Sequence, residues 1–445
     1  MIDLPAHAAC AIARLEDAGY ETWAVGGCVR DCLRGAEPHD WDLCTAAKPE
    51  QMQAVFAGER VIETGLKHGT LTLLTADGPL EITTFRADGS YSDGRHPDGV
   101  RFVPDVTADL ARRDFTVGAM AWHPDRGLCD PYRGLDDLQD GVLRAVGDAD
   151  ARFTEDALRI LRAVRFASQL GFAVEAGTAA AMRRQVGRLD CIAAERVREE
   201  LTGMLCGRFA QRALMQYADI VTAVLPELAP MVDCQQQNPH HKFDVWEHSV
   251  RALGQVLAVP VLRWAMLLHD SGKPACKTVD ENGVGHFYGH PKVSREIAEQ
   301  VARRLRFSNE QTDRLLLLVE QHDRPLGDSD KLLRRRLAQI GEARFRDLLA
   351  VKKGDAVGQQ THPEDIASLL DTERRLAAVL RQDACLSLRQ LAVNGNDMQA
   401  LGLSGPAVGD MLHVLLDAVL DGELDNTHEA LLAYARARME ETHDQ

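Results

Sequence analysis

The stretch Tyr20-Glu21-Thr22-Trp23-Ala24-Val25-Gly26-Gly27-Cys28-Val29-Arg30-Asp31, followed by His39-Asp40-Trp41-Asp42-Leu43, decides how the chain is read. Tyr20 to Val25 is a short apolar run with the composition of a strand, and a helical pattern starts around Val29, directly after two glycines. Such a junction lets backbone N–H groups approach a phosphate closely, and Arg30 adds a guanidinium fork for phosphate oxygens. Taken alone, Gly26-Gly27 is equally a tight strand-to-helix connection. In a strand, residues two apart share a face, so the reading sets the Asp40 and Asp42 carboxylates side by side. That pair repels itself unless it binds a hard cation, and Mg²⁺ held by one or two carboxylates plus substrate phosphates is a common arrangement.

Working outward, the runs Leu71 to Leu74 and Leu80 to Phe85 also read as strands, and Pro49 to Phe56 as a helix, so residues 1–135 are expected to form a mixed α/β head. Glu81 on the later strand is a third candidate catalytic carboxylate beside Asp40 and Asp42. Beyond residue 136 the strand signal nearly vanishes, and apolar residues recur at helical spacing, as in Ala157, Leu161, Val164 and Ala167. The expected order is a head (1–135), a helical neck (136–205), a helical body (206–360) and a helical tail (361–445), with breaks at Gly171 to Gly177, Cys234 to Lys242 and Gly354 to Pro363.

The 445 residues carry 51 Lys plus Arg against 67 Asp plus Glu, a net charge of −16, which excludes a globally basic coat protein for nucleic acid. The balance is uneven. Ala151 to Arg198 holds nine arginines and five acids, and Lys331 to Lys353 eight basic residues and two acids, whereas Asp410 to Gln445 holds nine acids and two arginines. Local basic surfaces can therefore still hold a polyanion. Ten cysteines are scattered without a C-x-x-C pair, which favours reduced, mostly buried thiols, and the lack of a leader or a long apolar run points to a cytoplasmic protein without a membrane segment.

Two further motifs complete the pattern. Leu110-Ala111-Arg112-Arg113-Asp114 sets two guanidinium groups beside a carboxylate, and Thr154-Glu155-Asp156-Ala157-Leu158-Arg159-Ile160-Leu161-Arg162-Ala163-Val164-Arg165 is expected to be one helix with Asp156, Arg159 and Arg162 on a common face. Gly-Gly-x-Val-Arg-Asp, Asp-x-Asp, Arg-Arg-Asp and Glu-Asp-x-x-Arg, in this order, resemble the class II tRNA nucleotidyltransferases, the family of CCA-adding enzymes and bacterial poly(A) polymerases. The resemblance covers nearly the whole chain. It implies an α+β fold with a polymerase-β-like nucleotidyltransferase head followed by an all-α neck, body and tail. It also implies Mg²⁺ on Asp40 and Asp42, tRNA with CTP and ATP as substrates, and nucleotide contacts at Gly26, Gly27, Arg30, Arg113, Asp156, Arg159, Arg162 and Arg165. Ala194-Glu195-Arg196-Val197-Arg198-Glu199-Glu200-Leu201 is similar to the neck motif that braces the nucleotide-reading helix. Cytosine and adenine both show an amine donor beside a ring-nitrogen acceptor, so Asp156 and Arg159 together can read both bases.

CCA addition competes with poly(A) synthesis or A-only addition by the same family. The loop Arg86 to Pro104, with Tyr91, Asp93, Arg95 and His96, occupies the place of the element that full CCA-adding members use to switch from C to A, and so favours CCA addition. In the body, His248, Leu268-His269-Asp270, His290 and His322-Asp323 form an ordered series similar to the HD phosphohydrolase superfamily. By that resemblance the ligands of a divalent transition metal are His248, His269, Asp270 and a later Asp, for which Asp355 is a better match than Asp323; His322 reads as an ordinary core histidine. Imidazole with carboxylate suits Zn, Mn, Fe or Ni. A phosphohydrolase side activity is expected there, and the different-class alternative is an HD phosphohydrolase whose degenerate head only binds RNA. The segments Leu386 to Met398 and Leu401 to Gly409 resemble the C-terminal part of HD-containing CCA-adding enzymes. RNA phosphates are expected along the neck arginines and the basic run that includes Arg334, Arg335 and Arg336.

Overall fold

The computed structural model describes residues 2–63, 65–66, 69–88, 100–238, 242–360, 363–381 and 385–443. Tyr91, Asp93, Arg95 and His96, singled out above, lie outside them. The chain divides into two compact units, Met1–Pro226 and Glu227–Gln445.

The first unit begins with α1 (Ala6–Asp17), β1 (Thr22–Val25), α2 (Gly27–Leu33), β2 (Asp42–Thr45), α3 (Pro49–Val55), β3 (Val61–Ile62), β4 (Thr70–Thr75) and β5 (Gly78–Thr84). There follow β6 (Arg86–Asp88), β7 (Val100–Phe102), α4 (Val106–Ala111), β8 (Ala121–His123), β9 (Gly127–Cys129) and α5 (Gly134–Asp140). Seven strands make one sheet in the order β3-β4-β5-β2-β1-β8-β9, in which only the β2·β5 pair is parallel. The buried side chains of Trp23, Val25, Cys44, Phe85, Leu110 and Ala121 form the core beside it.

The remainder of this unit is β10 (Val142–Leu143), α6 (Ala149–Glu155), α7 (Leu158–Leu170), β11 (Ala173–Val174), α8 (Ala176–Gln185), α9 (Ala194–Leu205), α10 (Ala210–Gln216) and α11 (Ala218–Val224). The single helix expected through Asp156 is in fact two. Asp156 is extended (φ −140°, ψ 104°), and its Oδ1 accepts the Leu158 N–H at 2.9 Å, which caps α7 in place of continuing α6. Leu158, Leu161 and Val164 are buried along α7, as the spacing required.

The second unit is almost entirely helical: α12 (Val245–Leu253), α13 (Pro260–Leu268), α14 (Lys273–Cys276), the hairpin β12 (Thr278–Val279) and β13 (Gly285–His286), α15 (His290–Arg304), α16 (Asn309–Gln321), α17 (Asp330–Ile340), α18 (Glu342–Gln359), α19 (Pro363–Arg381), α20 (Gly395–Ala400), α21 (Pro406–Asp421) and α22 (His428–His443). The break expected over Gly354 to Pro363 falls only in its second half, because α18 runs through Gly354 to Gln359 and α19 starts at Pro363. A Cβ on Gly354 would stand 2.7 Å from Val256 Cγ1, and one on Gly358 would stand 2.8 Å from Ala252 Cα. These glycines serve close helix packing, not a turn.

On the basic run of α17, Arg335 pairs with the Asp421 carboxylate at 2.6 Å, and Arg334 donates to the Leu420 carbonyl at 2.9 Å, so both fasten the C-terminal end of α21. No described helix is long and apolar enough to cross a membrane. The ten cysteines form no disulfide, and of them Cys28, Cys44 and Cys385 are buried.

Candidate functional site

In the head, the ends of β1, β2 and β5 place the expected residues around one edge of the sheet. Gly26 takes φ +82° as the chain leaves β1, a conformation that L side chains rarely adopt. A Cβ there would also meet Arg113 Nη1 at 2.8 Å. Its own N–H donates to the Met120 carbonyl at 3.1 Å, so what Gly26 provides is clearance for Arg113 and the turn into α2. Gly27 has no such constraint, since the nearest atom to a Cβ there is Arg30 Nη2 at 3.8 Å. Arg30 forms a two-point pair with its neighbour Asp31, at 2.9 and 2.8 Å.

Asp42 opens β2 and is directly in register with Glu81 on the parallel strand β5, which puts the two carboxylates side by side. Asp40 lies before β2, in exposed loop, so the strand geometry expected for Asp40 and Asp42 holds for Asp42 alone. Burial, then the nearby charges of Asp40 and Glu81, push the Asp42 carboxyl up to about 6, against the opposing pull of Arg113. Asp42 is thus a partly buried acid with two acidic neighbours, a setting that a cation relieves.

Arg113 is anchored from below. Asp109 on α4 is fully buried and takes Arg112 at 2.9 Å and Arg113 at 3.3 Å. Burial alone would raise the Asp109 carboxyl, but the two guanidinium groups outweigh it and hold it below the usual range. The sequence carried a signal for this anchor: Asp109 precedes the arginines by three and four residues on a helix.

Along α7, Arg162 Nε donates to Asp114 at 2.7 Å and Arg165 Nε to Glu200 of α9 at 2.6 Å. Arg159 is buried, and donates to Glu155 at 2.6 Å and to the carbonyls of Arg152 and Arg112 at 3.1 and 2.9 Å. Arg196 on α9 donates to the second oxygen of Asp156 at 3.1 Å. Asp156 and Arg159 are therefore held by separate partners, with Asp156 at the helix start and not on a shared face. Phe166, not anticipated, lies under three guanidinium groups, those of Arg30, Arg162 and Arg165, at 5.6, 5.4 and 4.5 Å from its ring centre.

The second unit holds a denser cluster. His248 comes from α12, His269 and Asp270 from the end of α13, and Asp355 from α18. His248 Nε2 is 3.2 Å from His269 Nε2, 3.4 Å from Asp270 Oδ2 and 3.0 Å from Asp355 Oδ1. His269 Nε2 is 3.3 Å from Asp270 Oδ2 and 3.6 Å from Asp355 Oδ1. The glycine packing between α12 and α18 described above is what brings Asp355 to His248. Two residues that the sequence reading did not place among the ligands also join: His290, the first residue of α15, and His322, just past α16. They reach the other oxygen of Asp270, Oδ1, at 3.3 and 3.6 Å. Asp323, the rejected alternative, lines the adjoining cavity, of about 300 Å³, but is in none of the tight ligand groups found among the described residues.

Burial opposes charge on His269, yet Asp270 and Asp355 outweigh it and push the imidazole up to about 10. Burial would likewise raise both carboxyls, but His269 and Lys273 hold Asp270, and hydrogen bonds from His248 and His269 hold Asp355, well below the carboxylate range. Burial lowers His322. The Lys273 ammonium sits on Asp270 Oδ2 at 2.7 Å and on Gln236 at 3.0 Å.

A sheet edge carrying Asp42 and Glu81, a glycine turn beside a buried-anchored arginine, and a helical neck that adds Asp156 and Arg159 define a nucleotidyltransferase. Residues 22–144 match the poly(A) polymerase head domain, 171–232 the RNA and SrmB-binding site of polymerase A, and 286–435 domain 2 of tRNA nucleotidyltransferase. The CCA-adding enzyme of Levilactobacillus brevis is 34% identical over 94% of either chain, and that of Limosilactobacillus fermentum 32% identical over 95% of this chain and 94% of its own. The crystal structure of the Bacillus stearothermophilus CCA-adding enzyme in complex with CTP superimposes with a TM-score of 0.74 at 30% identity, covering 98% of each chain. The chain belongs to the CCA-adding enzyme family of tRNA nucleotidyltransferases.

Proposed function

We propose that this enzyme rebuilds tRNA 3′ ends, adding C, C and A from CTP and ATP without a nucleic-acid template and releasing pyrophosphate at each addition. The observation that carries the reading is the in-register pairing of Asp42 and Glu81 beside the Gly26 turn, in a chain 34% identical to a CCA-adding enzyme over nearly its full length. Enzymes of this kind use a divalent metal, and we assign Mg²⁺. Asp40 and Asp42, with Glu81 beside them, fit such an ion because Asp42 is largely buried and already crowded by negative charge. Bound there, the ion supplies charge stabilisation at the transferring phosphoryl group and makes the attacking hydroxyl more acidic.

The chain's own groups do the rest. Arg113, held rigid by buried Asp109, and Arg30 present positive charge for the triphosphate next to Gly27. Asp156 accepts from the exocyclic amine of cytosine or adenine, and Arg159 donates to the ring nitrogen; uracil and guanine present a carbonyl and an N–H to the wrong partners. Arg196 orients Asp156, while Asp114 and Glu200 orient Arg162 and Arg165. The tRNA backbone follows the neck arginines, with the tail as a further contact, and we place the enzyme in the cytoplasm with its substrate.

The test is incubation of tRNA lacking its last three nucleotides with each labelled nucleoside triphosphate in turn. CTP and ATP should be incorporated, UTP and GTP should not, and the Asp156→Ala variant should lose that selectivity at least tenfold. Normal selectivity in the variant would remove Asp156 from the base-reading role.

A second reading concerns the body. A divalent transition metal on His248, His269, Asp270 and Asp355 would support hydrolysis of a phosphate ester, such as opening of a 2′,3′-cyclic phosphate by water at one P–O bond. The favouring observation is that His248 Nε2 and His269 Nε2, 3.2 Å apart, each lie within 3.6 Å of both Asp270 Oδ2 and Asp355 Oδ1. Elemental analysis of the purified enzyme finding no metal, with no metal-dependent hydrolysis, would leave this unit a scaffold.

A further inference from the structure

Three positively charged side chains converge on one aromatic ring where α2 meets α7. The guanidinium carbons of Arg30, Arg162 and Arg165 lie 5.6, 5.4 and 4.5 Å from the centre of the Phe166 ring. Arg165 and Phe166 follow Arg162 on α7 by three and four residues, so all three share one face of that helix, whereas Arg30 reaches the ring from α2, just past the Gly26 turn.

Like charges gathered this closely repel, so their arrangement needs support. Each guanidinium has a carboxylate of its own: Asp31 on α2 takes Arg30 at 2.9 and 2.8 Å, Asp114 takes Arg162 at 2.7 Å, and Glu200 on α9 takes Arg165 at 2.6 Å. A carboxylate holds one edge of a guanidinium group and leaves the group free to swing about that edge. The shared ring supplies a second point of attachment, because the negative faces of a phenyl ring attract cations.

The ring is itself held from behind. Phe115, 1% exposed, stands edge-on to it, with ring centres 5.9 Å apart and planes at 89°. Phe115 directly follows Asp114 and donates its N–H to Asp114 Oδ1 at 2.8 Å, so one short segment steadies both the ring and the carboxylate that takes Arg162. A further contact of the same kind, Arg34 over Phe172 at 5.5 Å, ties the end of α2 to the residue pair after α7. Arg30 Nη1 and Arg162 Nη2 make no hydrogen bond to a described residue, although the two side chains are only 13% and 35% exposed. Sheltered guanidinium donors left open beside one another suit an anion.

We propose that Phe166 is a positioning residue for nucleotide addition: its ring arrays Arg30 of α2 with Arg162 and Arg165 of α7 as one cradle for the triphosphate. The grip on the phosphates is thereby coupled to the helix whose start carries Asp156 and Arg159. The proposal rests on the nucleotidyltransferase reading above and adds the residue that sets the spacing of these arginines.

The test uses the full chain with 4-fluoro-, 3,5-difluoro- or 3,4,5-trifluorophenylalanine at position 166 alone. Fluorine drains the negative face of the ring while barely changing its size, so packing is kept and the attraction for cations is not. KM for CTP and for ATP should rise together with each added fluorine, to about fivefold with three, while kcat changes by less than about threefold. Inhibition by inorganic tripolyphosphate, a probe with neither base nor sugar, should weaken in parallel. Phe166→Leu should weaken that inhibition about tenfold, and Phe166→Tyr, which keeps the ring, should stay within about twofold of the parent. Flat values across the fluorinated series would overturn the cradle and leave the nucleotidyltransferase reading standing. Losses in KM that leave tripolyphosphate inhibition unchanged would also overturn it, in favour of a ring that stacks on the base. A parent that neither adds nucleotides nor is inhibited by tripolyphosphate would overturn both readings. The fluorinated series decides the matter even where Phe166→Leu fails to fold.

Discussion

The head and body each gather carboxylates, but surround them in opposite ways. In the head, Asp42 and Glu81 lie on adjacent strands and Asp40 on an exposed loop, with no imidazole in the set, so the carboxylate oxygens stand at an open edge. In the body, four imidazoles and two carboxylates converge from helix ends, with hydrogen bonds already fixing three of the ring tautomers. The difference teaches what each site is for. An open oxygen-rich edge suits a hard ion that arrives with its substrate, and a closed nitrogen-rich cluster suits a resident transition metal.

The largest effect that sharpens this contrast is expected from Asp42→Asn. Nucleotide incorporation should fall at least a thousandfold, the loss expected when a metal-holding carboxylate is removed. Yet the metal-free variant should be more stable than the parent near pH 7, by about 2 kcal/mol, because the charged form of Asp42 is disfavoured in the fold. The sign follows from its raised value: the folded state binds the proton more tightly, so the parent loses stability as pH rises from about 4, the ordinary aspartate range, to about 6. The stability gain of the variant should therefore vanish on acidification below about pH 4. Thermal melts at pH 7 and pH 4 check it, and a variant less stable than the parent at pH 7 would break the description of the head as a charge-crowded edge.

Next comes the pair of glycines at the turn. Gly26→Ala places a side chain at φ +82° and against Arg113, and should cost about 1–3 kcal/mol with a tenfold or larger loss in kcat/KM. Gly27→Ala, with no atom closer than 3.8 Å, should cost under about 1 kcal/mol, and equal losses in the two variants would refute the clearance role of Gly26. In the body, Gly354→Ala forces α18 off Val256 and should weaken metal retention by about tenfold through the displaced Asp355, read by competition with a chelator. The smallest effect is expected from Arg335→Ala. Because Asp421 already neutralises Arg335, the salt slope of tRNA binding should stay within error of the parent, whereas a shift of about one unit would restore α17 to the RNA path.

How much of this was legible in the sequence depended on whether the deciding contact was local. The strand–glycine–helix junction, the strand positions of Asp42 and Glu81 and the apolar stripe of α7 follow from periodicity and turn chemistry within a few residues, whereas Arg113 was singled out by the family resemblance. Asp40 was placed on the strand by the same periodicity, but pairing ends at Asp42, and the i, i+2 rule stops where the strand does. Asp156 looked helical because its neighbours are; its short carboxylate captured the Leu158 N–H and started a new helix instead. The break expected over Gly354 to Pro363 was started too early, because close helix approach and a turn call for the same residue, and the helix ends only at Gln359. For His290 and His322, their partner Asp270 lies 20 and 52 residues back, and only tertiary packing, which Gly272 permits in the case of His290, reveals it. A lone histidine carries no local mark of the carbonyl that sets its tautomer.

The central claim, that the head performs complete CCA addition, is tested most directly by sequencing the 3′ ends of tRNA lacking its last three nucleotides after incubation with the enzyme, CTP and ATP together. The account predicts ends that stop after CCA, with CC alone when ATP is withheld. Long adenosine runs, or no added nucleotide, would contradict it.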